Sequence, residues 1–139
     1  MYRSLEEAFQ QHDIARAVEI SLELWTDGPG RLPGQAAPDV RERVRAMTKR
    51  NWERPDDEAQ DQTPPVPLEP PAIGRLSKIG VPTLVILGEW DVPNPLDQLV
   101  AEIPGAKKVV MEETAHHPFM EKPADFNQIV LNFLESLKS

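Results

Sequence analysis

The sequence contains no cysteine. A disulfide framework, a thiol nucleophile and a cysteine-based metal site are thereby excluded. Histidine is scarce as well. There are three in 139 residues, so the search for an imidazole base narrows to His12, His116 and His117. No apolar run approaches the ~20 residues that a membrane-spanning helix requires. The opening M-Y-R-S-L-E-E turns polar at once, and no secretory leader is expected from it. Basic residues are the minority charge: 15 Lys and Arg against 23 Asp and Glu give a formal net charge of −8. Such a chain repels phosphate backbones and anionic membrane faces, so neither nucleic acid nor a membrane is expected as a partner. The expectation is a soluble, cytoplasmic protein about one small domain in length. Its 40% of hydrophobic residues can supply a core.

Proline is abundant where the other residue types are not. Six of the 15 prolines lie between Pro55 and Pro71, in a stretch that also carries five acids. Proline removes backbone donors and fixes φ, so this stretch is neither helix nor central strand. It reads as a semi-rigid connector or a surface loop. Either reading divides the chain into a segment 1–54, a linker 55–74 and a segment 75–139.

The first segment reads as helical. Ser4-Leu5-Glu6-Glu7 has the form of a capping box, and Asp13 can cap a second helix. Ile14, Ala17, Val18, Ser21, Leu22 and Trp25 recur at helical spacing over about three turns. The Gly and Pro of T-D-G-P-G-R, Thr26 to Arg31, end that helix. Asp39 with Glu42 signals another start, followed by a thinner stripe of Val40, Val44 and Met47. These stripes look too short to close a core on each other and suited to lying on something else. Trp25 and Trp52 are assigned to packing.

The last segment reads as α/β. From Val81, V-P-T-L-V-I-L-G-E is an apolar run of strand length, suited to a parallel strand buried on both faces. Leu96, Leu99, Val100 and Ile103 make a short helix, and Lys107 to Glu113 a second strand. Pro123 opens a last helix, with Phe126, Ile129, Val130, Phe133, Leu134 and Leu137 on one stripe. Strand–helix–strand–helix with short connections is the signature of a parallel sheet, and ligands bind at the C-terminal ends of such strands. Asp91 follows the first strand and His116 the second, so neighbouring parallel strands would hold them on one rim. A carboxylate beside a histidine fixes the ring tautomer and stabilises the imidazolium. A metal site from His116, His117 and Glu121 is disfavoured, because Pro118 breaks the helix that would align the last two and adjacent histidines chelate one ion poorly. No motif implies a cofactor.

I-G-V-P-T-L-V-I-L-G-E-W-D-V-P resembles the acid-bearing strand and loop of α/β-hydrolases. I-P-G-A-K-K-V-V-M-E-E-T-A-H-H-P-F-M-E-K-P-A-D-F-N-Q-I-V-L-N-F-L resembles their last strand, histidine loop and last helix. The likeness runs from about Ile79 to Leu137. It implies a catalytic histidine at His116 and its acid at Asp91. His117 becomes a neighbour, with Trp90 and Phe119 as further candidates for lining the site. W-T-D-G-P-G-R with V-R-E-R-V-R-A-M resembles the helical cap of esterase-, lactonase- and peroxidase-like members.

The resemblance also marks what is missing. The nucleophile elbow of that fold is G-x-S-x-G, and none of Ser4, Ser21, Ser77, Ser136 and Ser139 has that setting. Gly30-Arg31-Leu32-Pro33-Gly34 has the spacing with Leu at its centre. No oxyanion loop is seen. The chain thus resembles a cap plus the C-terminal part of an α/β-hydrolase, with the acid and the histidine but no nucleophile. Two functions follow. One is part of a hydrolase acting on an ester-like or other small molecule, inactive alone, whose N-terminal core comes from another polypeptide or was lost by truncation. The other is an inactive remnant serving as a small binding or interaction protein. The first strand would expose an unpaired edge, so a partner chain or self-association is expected.

Overall fold

The computed structural model describes residues 2–32, 34–53, 67, 69, 71–92 and 96–138. Most of the proline-rich linker expected over 55–74 lies outside these residues, as does Pro95.

Helices α1 (Tyr2–Gln10) and α2 (Ile14–Ser21) open the chain. Asp13 caps α2 as its position suggests, its carboxylate accepting the Arg16 N–H at 3.0 Å. The Ser4 box is not used as a cap. Helix α1 already begins at Tyr2, so Ser4 is an interior helical residue, whereas a cap residue must leave helical geometry. After Ser21 the helix continues as a π-helical segment, Leu22–Asp27, and it stops at Gly28 with φ +77°. Helix α3 spans Pro38–Trp52. Its start is set by Pro38 at the first helical position, where a missing N–H costs nothing. Asp39 therefore sits in the first turn and does not cap it.

Contrary to expectation, the helical stripes do close a small core on each other. Val18 and Leu22 pack with Val40 and Val44, joined by Ile14, Trp52 and Met120. Each such burial is worth about 1.5–3 kcal/mol. What folds α3 back onto α2 is Asp27, only 1% exposed. Its two oxygens accept the N–H groups of Gly34 (2.7 Å) and Ala36 (3.2 Å), and Arg41 Nε donates to it at 3.3 Å. T-D-G-P-G-R is therefore a pinned turn as well as a helix stop. Arg41 and Arg45 both reach Glu19 of α2, Arg45 Nε at 2.7 Å.

A 3₁₀ helix, Ala72–Lys78, leads to strand β1 (Leu84–Gly88). Helix α4 (Leu96–Glu102) crosses to β2 (Lys107–Met111). The strands pair in parallel, from Leu84 opposite Lys107 to Gly88 opposite Met111. This is the α/β reading, on a sheet of two strands among the described residues. Strand β1 is less covered than its apolar run suggests, with Val85 buried and Leu84, Ile86 and Leu87 only half-buried. A parallel strand needs a neighbour and a layer on each side to be fully buried, and among the described residues β1 has one neighbouring strand. Helices α5 (Pro118–Glu121) and α6 (Pro123–Ser136) close the chain. Pro118 opens a short helix and does not break one. Helix α6 has no fully buried residue; Leu134 and Leu137 of the expected stripe are 49% and 46% exposed, and Leu131 outside it is 52% exposed.

Candidate active site

Because the strands are parallel and equally long, both end on one rim, and the pairing continues past their ends. Glu89 N–H donates to Met111 O at 3.0 Å and Trp90 N–H to Thr114 O at 2.9 Å. The Thr114 hydroxyl turns back to Met111 O at 2.9 Å. Between them Glu113 adopts φ +56°, a left-handed conformation that costs a non-glycine residue about 1–2 kcal/mol. Its N–H is held by the Glu89 carboxylate at 2.9 Å.

These contacts bring Asp91 and His116 together. His116 Nδ1 lies 3.0 Å from each carboxylate oxygen of Asp91. The Asp91 side chain is 10% exposed and that of His116 is 43% exposed. Asp91 Oδ1 also accepts the Val92 N–H at 2.8 Å. An ionised carboxylate can only accept, so Nδ1 carries the hydrogen, and in the neutral ring Nε2 keeps its lone pair. The His116 backbone N–H donates to the Trp25 carbonyl at 3.2 Å, an oxygen within the π-helical segment. Such segments recur at functional sites because they free ladder carbonyls for other partners.

The imidazole faces a cleft of about 190 Å³ lined by Ser21, Trp25, Thr26, Val44, Thr48, His116 and His117. The Trp25 ring, assigned to packing from sequence, lies 4.8 Å from the His116 ring. Thr26 is fully buried, and its hydroxyl has no partner among the described residues. The flanking residues are distributed unevenly. His117 lines the cleft. Trp90 lies beneath the Arg31 guanidinium, 4.4 Å from it. Phe119 is 51% exposed and meets the rings of His117 and Phe126 in T-shaped contacts.

One pairing at this site could not be read from the sequence. Arg31 Nη2 meets Glu121 Oε2 at 2.6 Å, with side chains 8% and 5% exposed. Glu121 Oε1 accepts the Ala115 N–H at 2.7 Å. Glu121 is thus occupied by an ion pair and a backbone donor. The motif E-K-P locates it, but its partner is 90 residues away.

Burial, and then the neighbouring His116, hold the His117 imidazole below its ordinary value of 6.5, with Glu121 and Asp91 acting in the other direction. The fold therefore favours neutral His117 while the unfolded chain takes up the proton. The contribution of His117 is complete above about pH 6.5 and is lost as pH falls through and below that value. His117→Gln should flatten the decline of Tm between pH 7 and 5.5. An equal decline in both proteins would refute the assignment.

No family model matches the sequence. The 2-hydroxy-6-oxononadienedioate/2-hydroxy-6-oxononatrienedioate hydrolase of Klebsiella pneumoniae is 38% identical over 63 residues, which are 43% of this chain and 22% of that protein. Among solved structures, Est816, described as an N-acyl homoserine lactone degrading enzyme, superposes with a TM-score of 0.64 at 24% identity. The match covers 94% of this chain and 51% of that one. A hydrolase from Pseudomonas aeruginosa PA01 superposes with a TM-score of 0.62 at 25% identity, over 94% of this chain and 47% of its own. The chain spans about half the length of these structures and less of the curated relative.

Proposed function

The chain has the fold of part of an α/β-hydrolase, and we propose that His116 and Asp91 are two of the three groups of a nucleophile–histidine–acid site. The observation that carries this reading is the contact of His116 Nδ1 with both Asp91 oxygens, at 3.0 Å, on the shared rim of two parallel strands. In this reading His116 Nε2 takes the proton from a hydroxyl nucleophile as that oxygen attacks the substrate carbonyl. The imidazolium is stabilised by Asp91 and then returns the proton to the leaving group. The nucleophile and the oxyanion donors belong to strands outside this sequence. They would pair with the edge of β1 opposite β2, which has no strand partner among the described residues, and the helices of residues 2–53 would cap the site. The substrate class is a small carbonyl compound such as an ester or lactone, as the lactone-degrading relative suggests.

The test joins the chain to an N-terminal core carrying G-x-S-x-G, either on its own reading frame or taken from Est816. A fluorophosphonate probe should label the joined protein and leave the lone chain unlabelled, and only the joined protein should hydrolyse p-nitrophenyl esters. Labelling of the lone chain would show that it carries its own nucleophile. A folded but inactive joined protein would favour the alternative, a remnant whose exposed α6 stripe binds another protein.

A further inference from the structure

The Arg31 side chain touches every segment that places the His116–Asp91 pair. Its Nη2 donates to Glu113 O at 2.5 Å and pairs with Glu121 Oε2 at 2.6 Å. Its guanidinium stacks over the Trp90 ring at 4.4 Å. Glu113 is the left-handed residue at which the histidine loop begins. Its N–H is already held by Glu89, so Arg31 holds the carbonyl side of the same strained residue. Glu121 passes the constraint on, because its other oxygen accepts from Ala115, the residue directly before His116. Trp90 directly precedes Asp91. One planar cation therefore bonds the beginning of the histidine loop, secures its middle through Glu121, and covers the acid loop. A buried ion pair is weak evidence for stability, since an apolar pair of equal volume would serve that purpose as well. A planar fork with several fixed donors is suited instead to setting geometry.

We infer that Arg31 is a positioning residue. Acting through Glu121 and Trp90, it sets the distance and ring orientation at which His116 Nδ1 meets Asp91, and so makes the segment of residues 26–31 a condition for a correctly poised imidazole. The inference rests on the proposed role of that pair, but its test observes the ring itself and needs no turnover.

The test is ¹⁵N NMR of this chain labelled at histidine, which reports on each ring which nitrogen carries the hydrogen. Wild-type His116 should be held as the Nδ1–H form. Arg31→Met removes the fork while keeping most of the stem, and should convert at least a third of His116 to the Nε2–H form. Arg31→Lys retains charge but not the fork, and Glu121→Gln retains the Ala115 acceptor but not the ion pair, so both should give smaller, measurable conversion. Asp91→Asn supplies the reference for a lost acid. If folded Arg31→Met leaves His116 as fully Nδ1–H as the wild type, the inference fails. Should that variant not fold, Arg31→Lys and Glu121→Gln decide by the same criterion. A loss of melting temperature with no tautomer change would assign Arg31 to stability alone. If the tautomer responds while the joined protein has no activity, the positioning role stands and the proposed function falls.

Discussion

In the chain joined to a nucleophile-bearing core as proposed, His116→Ala should lower kcat by at least a thousandfold, which is about 4 kcal/mol of transition-state stabilisation. The reason is geometric. The Asp91 carboxylate engages Nδ1 through two contacts of 3.0 Å, so the ring offers Nε2, and only Nε2, as a base. Among the described residues the other imidazole lining the cleft belongs to His117, whose Nδ1 and Nε2 have no such carboxylate partner among the contacts seen. His117→Gln should therefore change kcat by less than about tenfold, and Asp91→Asn should fall between the two by leaving the ring in place with its tautomer unfixed. KM should move little in His116→Ala, because groups that act together in the transition state do not by themselves set ground-state binding. Steady-state kinetics on a p-nitrophenyl ester would check all three. Retention of a tenth or more of the activity in His116→Ala would remove the histidine from the mechanism.

Gly88→Ala should destabilise the chain by about 3 kcal/mol, roughly 10 °C in Tm. Gly88 ends β1, where the histidine loop crosses directly over it. A Cβ there would lie 2.1 Å from Ala115 O and 2.5 Å from Thr114 O. Both atoms are backbone and cannot rotate away as a side-chain end could. The histidine loop would have to lift from the strand, which would also weaken the Trp90 to Thr114 hydrogen bond of 2.9 Å. Gly74 and Gly80 provide internal controls, since a Cβ at either meets nothing within 4 Å. Their alanine variants should melt within a degree or two of the wild type. Calorimetry on the three proteins would settle it, and Gly88→Ala melting like Gly80→Ala would show that the close crossing does not exist in solution.

Local signals in the sequence succeeded where the physics is local. Asp13 is a cap because a short acceptor before an apolar helical repeat has an N–H three residues on to bind. Strands β1 and β2 and their parallel order follow from apolar runs separated by a short helix. The rim position of Asp91 and His116 follows from that order alone. Asp39 likewise marks a helix start, in the first turn after Pro38. The same kind of evidence misled at Ser4, because a capping pattern is satisfied equally well by residues inside a first turn, and Tyr2 extends that helix further back. It also understated the helical half. Four apolar residues on two helices look inadequate until Asp27 folds one helix onto the other and Met120 arrives from the opposite end of the chain.

By itself, then, the sequence determined helices α1 to α4 and α6, the two strands, their parallel pairing and the two chemical groups on one rim, but not the π-helical, 3₁₀ and α5 segments. Each of these depends on residue spacing along one strand, one helix or one short connection. Only the tertiary structure decided that Arg31 pairs with Glu121, that the Trp25 carbonyl receives the His116 N–H, and that Trp90 lies beneath a guanidinium while His117 lines the cleft. Those contacts join residues far apart in the chain. A side chain has no spacing rule for a partner 90 positions away; it finds one only after backbone packing has brought both into the same small volume.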